Sequence, residues 1–490
     1  MNTIVAIATA LGVGGIGIVR MSGEDALSIA KSIFAVINFA KNADEKFGDE
    51  PNKLVFGQVL CEEFSDKGYA VYFKAPRSFT GEDIVEFQLH GGVRILDGVV
   101  RECIKRGAVM AQRGEFTKRA YLNGKMTLAD AEGIIDMINA ESAAAVRAAY
   151  RLMDGEFGKQ IKQIENEIID LISGLEASLD YPEEMEDEIL PQIPQVLNSA
   201  KEQIDKLLDT EDIGRIAKHG IKIALVGYTN VGKSSLLNAM VNRERAIVTD
   251  KAGTTRDLVS ESVEYKGLRF NLVDTAGIRE SNDEIERIGV NLAKNEILSA
   301  DIVLYVKDAS GKNNEENKNN ENIKNNGNSK NNKNNKNNRN SINTESNNES
   351  INNDSNNESE EIEKLLCGKT VFVVENKSDC KGGNYGRQGN SYAVSAKYKQ
   401  GINSLMDSIY ELFKTGGVES GEVVTSERHI SSLQIAKRAL ESASAGLCNN
   451  STDCILVDLK IAADALGEIT GTTASEEIID RIFSRFCVGK

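Results

Sequence analysis

The chain has 490 residues, with 58 Lys and Arg against 74 Asp and Glu, for a net charge of −16. That length allows about three domains, each with its own core, and excludes a single small module. The acidic balance excludes a surface coated in basic residues for wrapping nucleic acid or lying on an acidic membrane, so any RNA contact is local. Seven cysteines without C-x-x-C spacing and three widely separated histidines exclude a disulfide framework and a Cys/His metal cluster. A reducing, cytoplasmic setting is expected.

Residues 3–11 are apolar enough to imitate a signal-peptide core, but no Lys or Arg precedes them, and secretion is not expected. No run of 18 apolar residues predicts a membrane span. Within 1–120, short β-type runs at 3–8, 17–21, 54–60, 70–73 and 84–89 alternate with helical stretches at 26–34 and 93–106. This reads as an α+β domain. Gly12, Gly14 and Gly17 satisfy G-x-G-x-x-G literally, but strand rather than helix follows, so the glycines predict a turn and no dinucleotide.

From 121 to about 215 the apolar residues fall at helical spacing, as in Ile161, Ile164, Ile168, Leu171, Ile172 and Leu175. An all-α part is predicted there. It carries 8 basic and 21 acidic side chains, nearly the whole charge excess, and its cluster at 180–188 reads as an acidic loop. Residues 216–415 return to alternating strands and helices, an α/β sheet. Inside them, 23 of the 50 residues from 311 to 360 are Asn, a composition that predicts a disordered insert. Residues 416–490 are helical again, with helices predicted at 431–444, 453–470 and 474–486. The α/β domain is therefore inserted into the helical one.

Gly227, Gly232, Lys233 and Ser234 satisfy G-x-x-x-x-G-K-[ST], between a strand at 221–226 and a helical run at 235–240. In this P-loop context backbone N–H groups surround phosphates, Lys233 reaches the terminal ones and Ser234 ligates Mg²⁺. Asn230, Val231 and Ser235 belong to the same loop. Asp274, Thr275, Ala276 and Gly277 follow a strand, with Asp274 directed at the Mg²⁺ shell and Gly277 at the γ-phosphate. Asn376, Lys377, Ser378 and Asp379 follow the next strand as N-K-x-D, whose carboxylate accepts from two guanine nitrogens and so rejects adenine. Ser395, Ala396 and Lys397 match the loop that touches the base oxygen. Four such elements in order predict a Ras-like GTPase domain.

Gly253, Thr254, Thr255, Arg256 and Asp257 form a switch, with Thr255 the second Mg²⁺ ligand. Where Ras-like enzymes carry a water-orienting Gln after D-x-x-G, this chain has Ile278, so hydrolysis needs another group. The run from Arg279 to Glu286 offers carboxylates.

Over the whole chain outside the Asn-rich insert, the sequence resembles the MnmE/TrmE-type tRNA-modification GTPases. The resemblance rests on the run from Gly14 to Arg20, Ser78 to Asp83, His90 to Gly92, Arg113 to Thr117, Leu122 to Lys125, the Gly253 to Asp257 switch and the terminal Cys487, Val488, Gly489 and Lys490. It implies a homodimer with an N-terminal folate-binding and dimerisation domain at 1–120. Helical parts would lie at 121–215 and 416–490, around a GTPase domain at 216–415. It further implies an FAD-binding MnmG/GidA-type partner, tRNA as substrate, no membrane, and 5-formyl- or methylene-tetrahydrofolate as one-carbon donor. The product would be an aminomethyl or carboxymethylaminomethyl group on C5 of wobble uridine.

Arg20, Glu86 and Lys125 match the family's folate-contacting positions, with Lys490 reaching them from the C-terminus. The resemblance also implies K⁺ stimulation, with K⁺ held by Asn230, Thr249, Lys251 and Thr254. In the same loop Asp250, Ala252 and Gly253 lie against GTP. Glu286 matches the family's water-orienting glutamate, so Glu286, Lys233 and Thr255 are the expected catalytic residues. A ribosome-assembly GTPase of the Era or EngA kind and a GTP-regulated scaffold without modification chemistry are the alternatives.

Overall fold

The computed structural model describes residues 2–37, 46–181, 190–228, 230–241, 260–274, 294–310, 366–414, 423–447 and 452–490. Its contacts divide the chain into two compact units. One comprises Met1–Ala140, Val146–Gly214 and Gly421–Lys490; the other comprises Glu141–Ala145 and Arg215–Ser420.

The first unit opens with a seven-stranded sheet of order β3-β4-β5-β6-β2-β1-β7. Its strands are β1 (Ile4–Ile7), β2 (Gly14–Ser22), β3 (Phe34–Val36), β4 (Val55–Leu60), β5 (Ser65–Phe73), β6 (Ile84–Gly91) and β7 (Val109–Met110). All neighbours are antiparallel except β1 and β7. Side chains alternate across the sheet, and Val5, Val19, Met21, Val85 and Phe87 form one core with Ile29 and Ile33 of α1 (Ala26–Ile33) and Leu96 and Val99 of α2 (Val93–Lys105). Arg20 and Glu86, one step out of that phase, are paired across β2 and β6. Beyond α2, α3 (Glu115–Leu122) sets Phe116 against Ile4 and Ala6.

The expected strand at 17–21 begins earlier, at Gly14, and a bulge between Gly14 and Gly17 takes up two of the glycines assigned to a turn, while Gly12 precedes the strand in a bend. Helix α3 and the short strands β3 and β7 were not among the predicted elements. Each is too short for a periodic signal and is held by its neighbours.

The helical elements continue with α4 (Leu128–Asn139), α5 (Ala143–Met153), α6 (Glu156–Asp180), α7 (Ile193–Leu208) and α8 (Glu211–His219). Thr127 begins α4 with a capping box, its hydroxyl accepting from the Asp130 N–H while the Asp130 carboxylate accepts from the Thr127 N–H.

The second unit holds another seven-stranded sheet, of order β13-β14-β12-β11-β8-β10-β9. Its strands are β8 (Ile221–Val226), β9 (Ser260–Tyr265), β10 (Leu268–Asp274), β11 (Ile302–Asp308), β12 (Thr370–Asn376), β13 (Gly386–Gln388) and β14 (Ser391–Ala393). The five inner strands are parallel and only β9 and β13 run against their neighbours. Helix α9 (Lys233–Val241) leaves the end of β8, and α10 (Ile402–Lys414) closes the unit. This is the P-loop α/β arrangement predicted from the sequence.

Back in the first unit, α11 (Glu427–Gly446), α12 (Thr452–Thr470) and α13 (Glu476–Phe483) complete the helical part. Ile161, Ile164, Ile168 and Leu175 of α6 pack with Leu197 and Ile204 of α7, Leu433 and Leu440 of α11, and Leu459 and Leu466 of α12. One core thus joins helices on both sides of the inserted unit in sequence. The insert 311–360 and all but the first two residues of the acidic cluster 180–188 lie outside the described residues. Among the described residues, no helix is long and apolar enough to cross a membrane.

Candidate functional site

In a parallel sheet, ligands bind beyond the carboxyl ends of the strands, and the motif residues gather there in the second unit. The loop after β8 carries Gly227 (φ +153°), Asn230 (φ +63°) and Gly232 (φ +93°). A side chain at Gly232 would overlap the Asn376 amide, which explains glycine at that position. Lys233 and Ser234 open α9, so their N–H groups stand at a helix N-terminus suited to phosphate.

Lys233 Nζ donates to the carbonyls of Gly227 at 2.8 Å and Tyr228 at 3.1 Å. Burial pulls its pKa below the ordinary lysine value, and the nearby Asp274 opposes that shift. Ser234 Oγ donates to Asp274 Oδ2 at 2.5 Å, while Asp274 Oδ1 is buried without a hydrogen-bond partner among the described residues. A buried carboxylate oxygen left unpaired beside a hydroxyl fits a divalent cation.

The base-reading elements are tied to the P-loop. Asn376 Nδ2 donates to the Val231 carbonyl at 2.9 Å and its Oδ1 accepts from the Ala396 N–H at 3.1 Å. Lys377, at φ +62°, sends Nζ to the Asn230 carbonyl at 2.8 Å and to Asp308 Oδ2 at 2.6 Å. Burial would raise the Asp308 pKa, but Lys377 and Ser310 outweigh it and hold the group below the usual value. Ser395 Oγ donates to Asp379 Oδ1 at 2.6 Å, fixing the carboxylate assigned to guanine. Ser378 is buried, its Oγ donating to the Glu375 carbonyl. Ser235 and Lys397 are exposed.

Asp308 was missed by sequence reasoning; its only signal is an acid at the end of the strand next to β8. Thr249, Asp250, Lys251, Ala252, Gly253, Thr254, Thr255, Thr275, Ala276, Gly277 and Glu286 lie outside the described residues.

On the N-terminal sheet, Arg20 Nε donates to Glu86 Oε1 at 2.6 Å, with the guanidinium 5.8 Å from the ring centres of both Phe79 and Phe116. The Arg20 terminal nitrogens and Glu86 Oε2 make no hydrogen bond among the described residues. A guanidinium with its fork free, half-buried between two rings, fits a carboxylate ligand. Lys125 Nζ donates to the Pro76 carbonyl at 3.0 Å.

The C-terminal tail reaches the same sheet: Val488 bridges to Arg113, and Gly489 (φ +96°) packs directly on the Ile7 carbonyl of β1. Lys490 is thereby carried to the strand beside β2, the strand that bears Arg20. The Cys487 thiol is exposed, so its role is not that of a buried packing residue. Buried Arg119 of α3 binds Glu82 at 3.1 Å and Glu115 at 2.8 Å, and Ser22 Oγ donates to Glu82 at 2.7 Å. This network braces the 78–83 loop and was also missed, because its members are far apart in sequence.

Residues 3–125 match the family described as the GTP-binding protein TrmE N-terminus, and residues 128–487 match the MnmE helical domain. A relative from Thermoanaerobacter pseudethanolicus named tRNA modification GTPase MnmE is 37% identical over 505 residues, covering 100% of this chain and 99% of its own. Proteins of the same name from Clostridioides difficile and Bacillus subtilis are 37% and 34% identical, covering 100% of this chain and 99% and 100% of their own. Among solved structures, an Aquifex aeolicus Era variant bound to GDP and aluminium fluoride is 22% identical over 44% of this chain and 65% of its own, with a TM-score of 0.25. With both family descriptions matched and full-length relatives above 30% identity, the chain belongs to the MnmE (TrmE) family of tRNA modification GTPases.

Proposed function

We propose that this protein is a K⁺-stimulated GTPase that uses a tetrahydrofolate one-carbon unit to modify C5 of wobble uridine in tRNA. It acts with an FAD-binding MnmG/GidA-type partner as a cytoplasmic homodimer. Folate binding and dimerisation are assigned to 1–120, GTP turnover to 216–415, and the helical frame to 121–215 and 416–490. The observation that carries the reading is the convergence of the P-loop, Asp274, N-K-x-D and Ser395 elements on one another through side-chain hydrogen bonds.

Asp379 accepts from the guanine ring, and the carboxylate geometry set by Ser395 rejects adenine. Lys233 leaves its loop carbonyls to meet the terminal phosphates. Ser234 and Thr255 hold Mg²⁺, with the unpaired Asp274 oxygen facing its shell; bound Mg²⁺ neutralises phosphate charge. Asn230, Thr249, Lys251 and Thr254 are assigned to K⁺, and Glu286 to orienting water in place of the absent Gln. Arg20, Glu86, Lys125 and Lys490 are assigned to folate, whose one-carbon unit supplies the added carbon. The free fork of Arg20 supports that assignment.

GTP turnover measured in KCl and in NaCl tests the switch: faster turnover in KCl is expected, and equal rates reject K⁺ stimulation. Nucleoside mass spectrometry of tRNA from a deletion strain tests the pathway. Loss of the C5 substituent is expected, and unchanged wobble uridine rejects the tRNA role. The ribosome-assembly and scaffold alternatives draw no support from relatives that match this chain from end to end.

A further inference from the structure

Helices α4 and α5 begin in contrasting ways. Thr127 and Asp130 cap α4 from within its own sequence. Helix α5 opens on Ser142, Ala143, Ala144 and Ala145 with no acid in its first turn, and Ser142 Oγ accepts from the Ala145 N–H at 3.1 Å. The two donors before it are met from far along the chain. Glu264 Oε1 of β9 accepts from the Ala143 N–H at 3.2 Å, and the Gly267 carbonyl accepts from the Ala144 N–H at 2.9 Å. Arg269 of β10 adds an ion pair with Glu141. The second unit accordingly takes in Glu141–Ala145 with Arg215–Ser420, whereas Val146, the next residue of α5, belongs to the first.

The capping groups sit on one stiff element. Strands β9 and β10 pair in register from Tyr265 with Leu268 to Ser260 with Val273, and Lys266 (φ +50°) and Gly267 (φ +83°) join them with the two left-handed residues of a type I′ turn. Tyr265 Oη braces the turn by donating to Asp407 Oδ1 of α10 at 2.7 Å. At its far end β10 closes on Asp274, whose carboxylate accepts from Ser234 Oγ in the nucleotide site. The seven residues of β10 set its two ends roughly 20 Å apart. In sequence the hairpin runs from the Gly253–Asp257 motif to the Asp274–Gly277 motif, the two assigned to Mg²⁺ and the γ-phosphate.

We propose, resting on the assignment of Asp274 to the Mg²⁺ shell, that the β9–β10 hairpin couples GTP hydrolysis to tRNA modification by controlling the cap on α5. Exchange of GTP for GDP shifts Asp274 and the strand it ends, and the other end of the hairpin then holds or releases the Ala143 and Ala144 N–H groups. A helix start that lacks acceptors of its own is ordered while the hairpin supplies them and frays when they are withdrawn. The first turn of α5 thus has two discrete arrangements for the nucleotide to bias, and the rest of the helix continues into the helical part.

The test uses the full chain. Amide hydrogen exchange at 142–147 is compared with saturating GDP and with guanosine 5′-(β,γ-imido)triphosphate, each with Mg²⁺ and K⁺. Rates at this turn are expected to differ about tenfold, and equal rates would overturn the proposal. Variants of Glu264, which lies outside the residues assigned to GTP, metal or folate, then grade the cap. Glu264→Gln keeps an acceptor, Glu264→Ala removes it, and Glu264→Lys sets a cation against the helix N-terminus. With the FAD-binding partner and tRNA, modification is expected to slow about twofold, tenfold and a hundredfold in that order. GTP turnover at saturating GTP should stay within about twofold and the melting temperature within a few degrees. The reversed pair Glu141→Arg with Arg269→Glu should recover modification lost by either single change. Wild-type modification by Glu264→Lys, or GTP turnover that falls in step with modification, would equally overturn the coupling. Failure of the tRNA reading looks different: the wild type itself would leave wobble uridine unmodified, and hydrogen exchange would still decide whether the nucleotide reaches α5.

Discussion

In the nucleotide site the motif side chains are already engaged with one another, whereas on the N-terminal face Arg20 and Glu86 spend one atom each on their pair and leave the others open. Lys233 rests on loop carbonyls, Ser234 on Asp274, Lys377 on Asn230 and Asp308, and Ser395 on Asp379. GTP must therefore draw Lys233 and Ser234 off their internal partners, while a ligand of Arg20 and Glu86 adds bonds to groups that hold few. The first arrangement gives selectivity through what must be displaced. The second gives a surface whose ligand is recognised by what remains unpaired.

The sharpest way to break this contrast is at Asp379. With Asp379 assigned to two guanine N–H groups, Asp379→Asn turns that acceptor into a partial donor, which would lose two charge-assisted hydrogen bonds and leave Ser395 to re-pair. GTP affinity is expected to fall by more than about 10³-fold, with xanthosine triphosphate favoured instead. Binding of fluorescent nucleotide analogues measures it, and retained GTP affinity would show that this carboxylate does not read the base.

A second contrast lies inside the first unit, between the open Arg20 pair and a closed one. Arg428 donates to both Glu132 oxygens and to the Glu468 and Ile469 carbonyls at the end of α12, with buried His429 beside them. Arg428→Ala leaves a buried carboxylate and two helix-end carbonyls short of partners. It is expected to cost about 3 kcal/mol in urea unfolding. Burial alone would raise the Glu132 pKa, but His429 and Arg428 overcome it and hold the pKa well below its ordinary value of 4.5. The stability from this pairing is therefore full above about pH 4.5 and is lost as pH falls toward the folded value, because the unfolded chain takes up the proton first. Glu132→Gln should flatten that acid slope while lowering stability at pH 7. An unchanged slope would assign acid sensitivity elsewhere.

The nucleotide elements were legible because each is a contiguous run whose chemistry lies in its own backbone and neighbouring side chains. Gly227 to Ser234 announces a phosphate loop without knowledge of any distant residue. What joins the runs was not legible. Lys377 reaches Asn230 and Asp308 across large sequence separations, and only strand order brings them together. Arg119 with Glu82, and His90 with Asp66, are likewise products of register rather than spacing. Helices such as α6 were legible from a repeating apolar stripe, while β3, β7 and α3 are too short to carry a period and take their form from what they pack against.

A smaller effect is expected where the open pair is tested directly. Arg20→Ala removes the guanidinium fork between Phe79 and Phe116 and should weaken 5-formyltetrahydrofolate about 10- to 50-fold by calorimetry, the loss of one charge-assisted contact. Lys125→Ala should cost less, because that ammonium is an exposed point charge with one of its N–H groups already spent on the Pro76 carbonyl. Equal losses from the two variants would erase the distinction between open and engaged groups on this face.

The smallest effect is expected from deleting 311–360. Strands β11 and β12 pair in parallel from Ile302 with Thr370 to Asp308 with Asn376, so the two neighbours are matched along their full length regardless of the chain that connects them. Closing a long loop costs only about 0.6 kcal/mol more per doubling of its length, and shortening this connection should raise stability by about 1.5 kcal/mol. The eleven residues that would remain between the strands are close to the minimum for a parallel crossover, which makes the deletion a demanding test. Asp308 and Asn376 end those strands and hold Lys377 and the P-loop, so the register of this pair sets the geometry of the base-reading site. GTP turnover within about twofold of the full chain is expected; a large fall in GTP affinity would mean that the insert, and not strand pairing alone, keeps that register.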